Sequence, residues 1–185
     1  MAKGEFESQK ALLKHLPSNT AAAFTHGTFG GDPTRSFLLS PFLRLDGGHP
    51  SPSELAKVLK TLRESSVSPA GKFGFPVTTF NGIVPLVNDW TDTWEEWFSR
   101  QLWSDITWEQ AVAGPDSEFE KVTETFFEKV IPRLLRPLET GGRSIKPTLL
   151  HGDLWPGNCQ VDSTTGQAVL FDACCCYGHH ESEFH

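Results

Sequence analysis

The period of apolar and polar positions changes several times along this chain, and each change predicts an element. In GEFESQKALLKHLP, Phe6, Leu12, Leu13 and Leu16 supply the apolar side of a helix that Pro17 ends. AAFTHGTF and SFLLSPFLRL read as strands, and the turn-rich GGDPTR between them predicts an antiparallel hairpin. In SPSELAKVLKTLRESS, Ser51 and Glu54 form a capping box with Pro52 at the first helical position. Leu55, Val58, Leu59 and Leu62 then follow at i, i+3, i+4 and i+7, one stripe of a helix. Residues 66–92 carry no regular period and read as a long, irregular connection of the kind that often serves function. Two further helices are expected. One lies around 92–109, with Trp94, Trp97, Phe98 and Leu102 on one face. The other lies around 116–136, with Phe119, Val122, Phe126, Val130 and Leu134, and a kink or break at Pro132. The end of the chain is strand-like: TLLHGD, NCQVD and AVLFDACC, the last two joined into a hairpin by STTGQ. Helix, hairpin, helices, then hairpin is an α+β order, not a doubly wound one.

Composition narrows the picture. In 185 residues, 38% are hydrophobic, with six Trp and fourteen Phe, enough for an extensive core. The formal net charge of −7 and the absence of a block of like charges exclude a nucleic-acid footprint. An anionic ligand such as a phosphate gets no help from that balance and needs local neutralisation, most simply by a metal ion. MAKGEFESQK has no apolar signal-peptide region, and no run approaches the roughly 18 apolar residues of a membrane span, so a soluble, cytoplasmic protein with no membrane partner is expected. Cys159 stands alone, while Cys174, Cys175 and Cys176 are consecutive. Neighbours on a strand point to opposite faces, so these thiols read as reduced, half-buried packing groups in preference to a metal site.

The chemistry concentrates near the end. In HGDLWPGN, Asn158 follows Asp153 by five residues, the interval of a kinase catalytic loop, and Asp172 follows Asn158 by fourteen, at the end of a hairpin strand. A carboxylate on a loop accepts the proton of an attacking hydroxyl. An amide carbonyl and a second carboxylate are the hard oxygen donors that Mg2+ takes. The hairpin between Asn158 and Asp172 brings those two to one side, and Gly152 and Gly157 let the loop turn tightly.

HGDLWPGN followed by FDACCCYGHHESEF resembles the fructosamine and ketosamine kinase family, relatives of aminoglycoside and choline kinases on a protein-kinase-like fold. GKFGFPVTTFNGIVP, WTDTWEEWF and KVIPRLLRPLE resemble it too, and the details are most similar to fungal protein-ribulosamine 3-kinases. The resemblance implies a kinase-like α+β fold: a partial N-lobe of helix plus hairpin over residues 1–48, and most of a mainly helical C-lobe over 49–185. It implies ATP and Mg2+ as cofactors, and phosphorylation of the 3-hydroxyl of a ketosamine on a protein lysine or small amine. Asp153 would be the general base, Asn158 and Asp172 the Mg2+ ligands, and Glu5 the helix carboxylate that pairs with a phosphate-binding lysine. His151 would hold the loop backbone. Trp155 would either stack on the sugar-bearing part of the substrate or pack in the core. His179 and His180, beside Glu181, would anchor a loop.

The lysine strand and glycine-rich loop that such a fold places before Glu5 have no counterpart here, and relatives continue beyond His185. A fragment truncated at both ends, weakly active or inactive, is therefore expected. Two alternatives stand beside the ketosamine kinase: a kinase for another hydroxyl, and a non-catalytic relative that binds a sugar-amine or a protein partner.

Overall fold

Pro17 stops the first helix as expected. In the computed structural model, which describes residues 1–183 apart from the side chain of Pro33, α1 spans Ala2–His15. Phe184, at the end of the FDACCCYGHHESEF stretch, and His185 lie outside the described residues. The buried face of α1 differs from the expected apolar side. It holds Ala2, Gly4, Ser8, Gln9 and Leu12, while Phe6 and Leu13 are half-buried. The reason is close approach: a Cβ on Gly4 would come within 2.6 Å of the Thr78 carbonyl oxygen, so only small or precisely bonded side chains fit there. Phe6 instead packs on the His26 ring at 4.9 Å.

Strands β1 (Thr25–Phe29) and β2 (Asp32–Leu39) form the expected antiparallel hairpin, with Thr25 opposite Leu39. The second strand ends before Pro41, short of the SFLLSPFLRL reading, because proline cannot donate to a ladder. Helix α2 (Pro52–Ser65) starts at the capping box: Ser51 Oγ accepts from the Glu54 N–H, and the Glu54 carboxylate accepts from the Ser51 N–H at 2.8 Å. Val58 and Leu62 of its stripe are buried, whereas Leu55 and Leu59 line an open cavity of about 1240 Å³ together with Ile145 and Leu150.

The connection after α2 is irregular but contains a small hairpin, β3 (Phe80–Asn81) with β4 (Val84–Pro85), turned by Gly82 and Ile83. Gly82, the first of the two turn residues, has a φ of +57°, where a glycine carries no Cβ penalty. The connection runs along the core, with Phe73 and Phe75 buried.

Helix α3 (Trp94–Ala113) begins at Thr93, which caps the Glu96 N–H, and stops at Gly114. Helix α4 (Ser117–Thr125) passes through a π turn at Phe126–Val130 into α5 (Ile131–Leu135). Pro132 explains the break: it has no N–H to continue the α ladder, and the chain widens just before it. The break shifts the apolar stripe out of phase. Thr123 and Ile131 are buried, while Val122 and Leu134 are each 61% exposed. Contact with α3 passes through Phe127, edge-on to Trp103 at 5.3 Å.

Four short strands finish the fold. β5 (Thr148–Leu150) pairs antiparallel with β8 (Cys176–Gly178), and β6 (Cys159–Asp162) with β7 (Gln167–Leu170). The expected AVLFDACC strand thus ends at Leu170, and the chain re-enters a sheet only at Cys176. One buried cluster joins α1, α2 and these strands through Leu12, Leu62, Leu149, Leu170 and Cys175. A second, around Phe73, Trp94 and Trp97, takes in Leu150 and Cys176. Cys175 and Cys176 therefore do point to opposite sides, but the four thiols are fully buried, not half-buried, and free. Among the described residues, no helix is long and apolar enough to cross a membrane.

Candidate active site

Two connections cross at one end of these strands. Residues 151–158 lead from β5 to β6, and residues 171–175 lead from β7 to β8. Three hydrogen bonds fasten them: Cys174 N–H to the His151 carbonyl at 3.0 Å, Phe171 N–H to the Asn158 carbonyl at 3.2 Å, and the His151 ring to the Phe171 carbonyl at 3.0 Å. Because a carbonyl can only accept, Nε2 of His151 carries the proton. Nδ1 is then the acceptor that faces the Asp153 N–H at 3.4 Å. The ring is fully buried, and burial lowers its pKa to about 4 against the smaller opposing effects of the Phe171 carbonyl and the Asp172 charge. His151 is thus a neutral cross-brace between the connections, in line with the loop-holding role expected of it.

Gly152 makes the crossing possible. Its φ is +87°, and a Cβ there would run into the Cys174 carbonyl. Gly157 serves differently, since a Cβ on it would collide with the Trp155 ring. That ring is 57% exposed, which removes the core reading of Trp155.

Asp153 and Asn158 are brought into direct contact. Asn158, itself buried, donates through Nδ2 to the Asp153 backbone carbonyl at 2.9 Å and to its Oδ2 at 2.8 Å. Both amide protons are committed, so the side-chain oxygen of Asn158, Oδ1, is the end left for a ligand. Asp172 lies next to Phe171, whose N–H bonds the backbone carbonyl of Asn158, and is the one non-glycine described residue with positive φ, at +58°. Asp153, Asp172 and the buried Glu183 all raise the pKa of Cys174, pushed up to about 12 by burial first and these charges second. All three charges are thus felt at one buried thiol. Glu5 approaches from α1: burial and then the Asp172 charge raise its pKa, and it makes no ion pair among the described residues. Glu5 and Asp172 sit at one end of a cavity of about 380 Å³ whose other walls include Ala21, Leu38 and Leu45.

The sequence reading missed three polar side chains that shape this site. Glu183 is only 4% exposed and accepts from His151 N–H at 2.7 Å and Gly152 N–H at 3.1 Å. Ser8 Oγ accepts from Cys175 N–H at 3.0 Å, and Gln9 lies beside Asp172. His179 and His180 stack on each other at 4.9 Å, with His179 over Trp94. No cluster of three metal-ligating His, Cys, Asp or Glu side chains occurs among the described residues.

The family model for fructosamine kinase matches residues 1–185, the entire chain. The chain belongs to the fructosamine kinase family. Among its relatives, the chloroplastic protein-ribulosamine 3-kinase of Oryza sativa subsp. japonica is 31% identical over 155 residues, covering 80% of this chain and 41% of the relative. A ketosamine-3-kinase of Mus musculus is 38% identical over 113 residues, 60% of this chain and 34% of the mouse protein. A probable ketoamine kinase of Synechocystis is 31% identical over 160 residues, 84% of this chain and 48% of that one. The chain thus spans less than half the length of these curated relatives. Among solved structures, a candidate fructosamine-3-kinase of Haemophilus somnus superposes with a TM-score of 0.73 at 22% identity, covering 99% of this chain and 57% of its own. At that identity the likeness speaks for the fold, which is mixed helix and strand of the kinase-like type shared by this family.

Proposed function

We propose that this member of the fructosamine kinase family is an ATP-dependent kinase for the 3-hydroxyl of ketosamines, carried by protein lysines or small amines. The observation that carries the reading is the Asn158–Asp153 contact. An amide that donates twice to one aspartate fixes that carboxylate and leaves Asp153 Oδ1 for a substrate hydroxyl, whose proton it accepts as the hydroxyl oxygen attacks the γ-phosphorus. Positioning of this kind is most of what phosphoryl-transfer catalysis requires.

The donor set also fits Mg2+: a carbonyl oxygen on Asn158 and a carboxylate on Asp172 are hard ligands, and they lie on adjoining connections. When bound there, the ion would neutralise the phosphate oxygens that an acidic site otherwise repels. Glu5 and Asp172 are like charges at one end of the 380 Å³ cavity, an arrangement that calls for a cation between them. The apolar walls suit a purine ring. On this reading, residues 1–48 form the nucleotide-facing lobe and 49–185 carry the catalytic loop. Trp155, exposed beside the loop, offers a stacking surface to the sugar-bearing substrate.

The test is transfer of labelled phosphate from ATP to a ribulosamine-bearing peptide with Mg2+. Asp153→Asn, which keeps the shape and removes the proton acceptor, is expected to lower kcat by about 10²–10⁴-fold. An Asp153→Asn protein as fast as the parent would sink the reading.

A further inference from the structure

We infer that Gln9 is the positioning residue for Asp172, holding from α1 the backbone of the carboxylate assigned to the metal. The inference rests on the kinase reading above. Gln9 is only 3% exposed, and its amide lies between the Ala21 carbonyl and the Asp172 N–H. Those neighbours dictate its orientation: Nε2 donates to Ala21 O at 3.1 Å, and Oε1 accepts from Asp172 N–H at 3.0 Å.

Asp172 needs such a hold. At φ +58° its backbone sits where a residue with a Cβ is strained and persists only when the surroundings impose it. Its neighbours are held otherwise: Phe171 by Asn158 and His151, Cys174 by the His151 carbonyl, Cys175 by Ser8. Among these N–H groups, that of Asp172 is the one held by Gln9. One turn earlier on the same helix, Glu5 reaches the Asp172 charge. A displacement of α1 would therefore move the backbone of Asp172 together with the carboxylate facing it.

The parent and three variants test this on the full chain. In the parent, hydrogen exchange followed by NMR should show a protected Asp172 amide although the residue itself is exposed; rapid exchange there overturns the inference. Gln9→Met keeps length and helix propensity but offers no acceptor. It should speed Asp172 exchange by at least about tenfold, leave the Ser8-bonded Cys175 amide protected, and weaken Mn2+–ADP binding, read by electron paramagnetic resonance, by about tenfold. Gln9→Glu, which burial keeps protonated, presents the same acceptor and donor and should restore both readouts. Unchanged Mn2+ binding with a freed Asp172 amide would overturn the positioning role. Asp172→Asn separates the two layers: if it binds Mn2+–ADP as the parent does, the metal reading fails and this role with it, while the exchange result still reports the hydrogen bond.

Discussion

Asn158 spends both amide protons on Asp153, one on its backbone carbonyl and one on its carboxylate. The pair is five residues apart, and the short 3-10 turn Pro156–Asn158 folds the amide back onto the aspartate. Asn158→Ala removes the clamp and the side-chain oxygen proposed for Mg2+, while leaving the proton acceptor in place. The expected result is a kcat reduced by at least about 10²-fold, through lost positioning of Asp153 and a weakened metal site together, with the ketosamine KM nearly unchanged. Steady-state kinetics on the two variants, Asn158→Ala and Asp153→Asn, check it. Asp153→Asn should fall at least as far.

Glu183 accepts the backbone N–H groups of His151 and Gly152, in the connection from β5 to β6, from a buried position. Removing it leaves both donors without that partner where water does not reach. Glu183→Ala should cost about 2–4 kcal/mol of stability, read from urea unfolding. Glu183→Gln retains one acceptor oxygen and should cost roughly half as much. Equal stability of all three proteins would show that water replaces the carboxylate.

How far this site was legible before its structure can be judged from its parts. The Ser51 capping box, the helical stripe of α2 and the break near Pro132 are local, and local chemistry writes itself into adjacent residues. The closeness of Asp153 and Asn158 is local too. Gln9 and Glu183 are not: Glu183 meets its partners 31 and 32 residues back along the chain, Gln9 meets Asp172 near the opposite end of it, and a buried polar residue leaves no periodic mark. The outward stripe of α4 misled for the opposite reason, since periodicity shows that a helix has an apolar side without showing what covers it. β8 escaped notice because Cys176–Gly178 is three residues long and fully buried, with no alternation to read. The hairpin that turns at Gly82–Ile83 carried a usable signal, a glycine at the first turn position, that the long irregular stretch around it obscured.

The four cysteines invite a chemical test. Burial pushes the Cys159 thiol up to about 11 and Cys174 up to about 12, and raises Cys175 and Cys176 well above the usual thiol range. Thiolate is the reactive form, so the folded chain should be nearly inert to a disulfide reagent at pH 8 and should release four equivalents of thiol in denaturant. Rapid modification of any one of them under native conditions would mean that its part of the core opens readily.

The last expectation concerns acid. His151 stays neutral in the fold down to a pKa of about 4, while in the unfolded chain it titrates near 6.5. Between those values the unfolded state binds more protons, so stability rises with pH there, and His151's contribution is lost as pH falls from 6.5 toward 4. The difference corresponds to about 3 kcal/mol for this one buried ring. His15, His179 and His180, whose pKa values burial also lowers, act in the same direction. Glu5, whose pKa burial raises, acts in the opposite one, because its proton is bound more tightly in the fold. The sum is therefore less specific than the site, and the decisive measurement is the titration of the His151 ring itself. Its carbon-bound proton resonances should hold the neutral shift at pH 5 and change only as the protein begins to unfold. A ring that titrates near 6.5 with the fold intact would mean that the bond to Phe171 does not lock the two connections together.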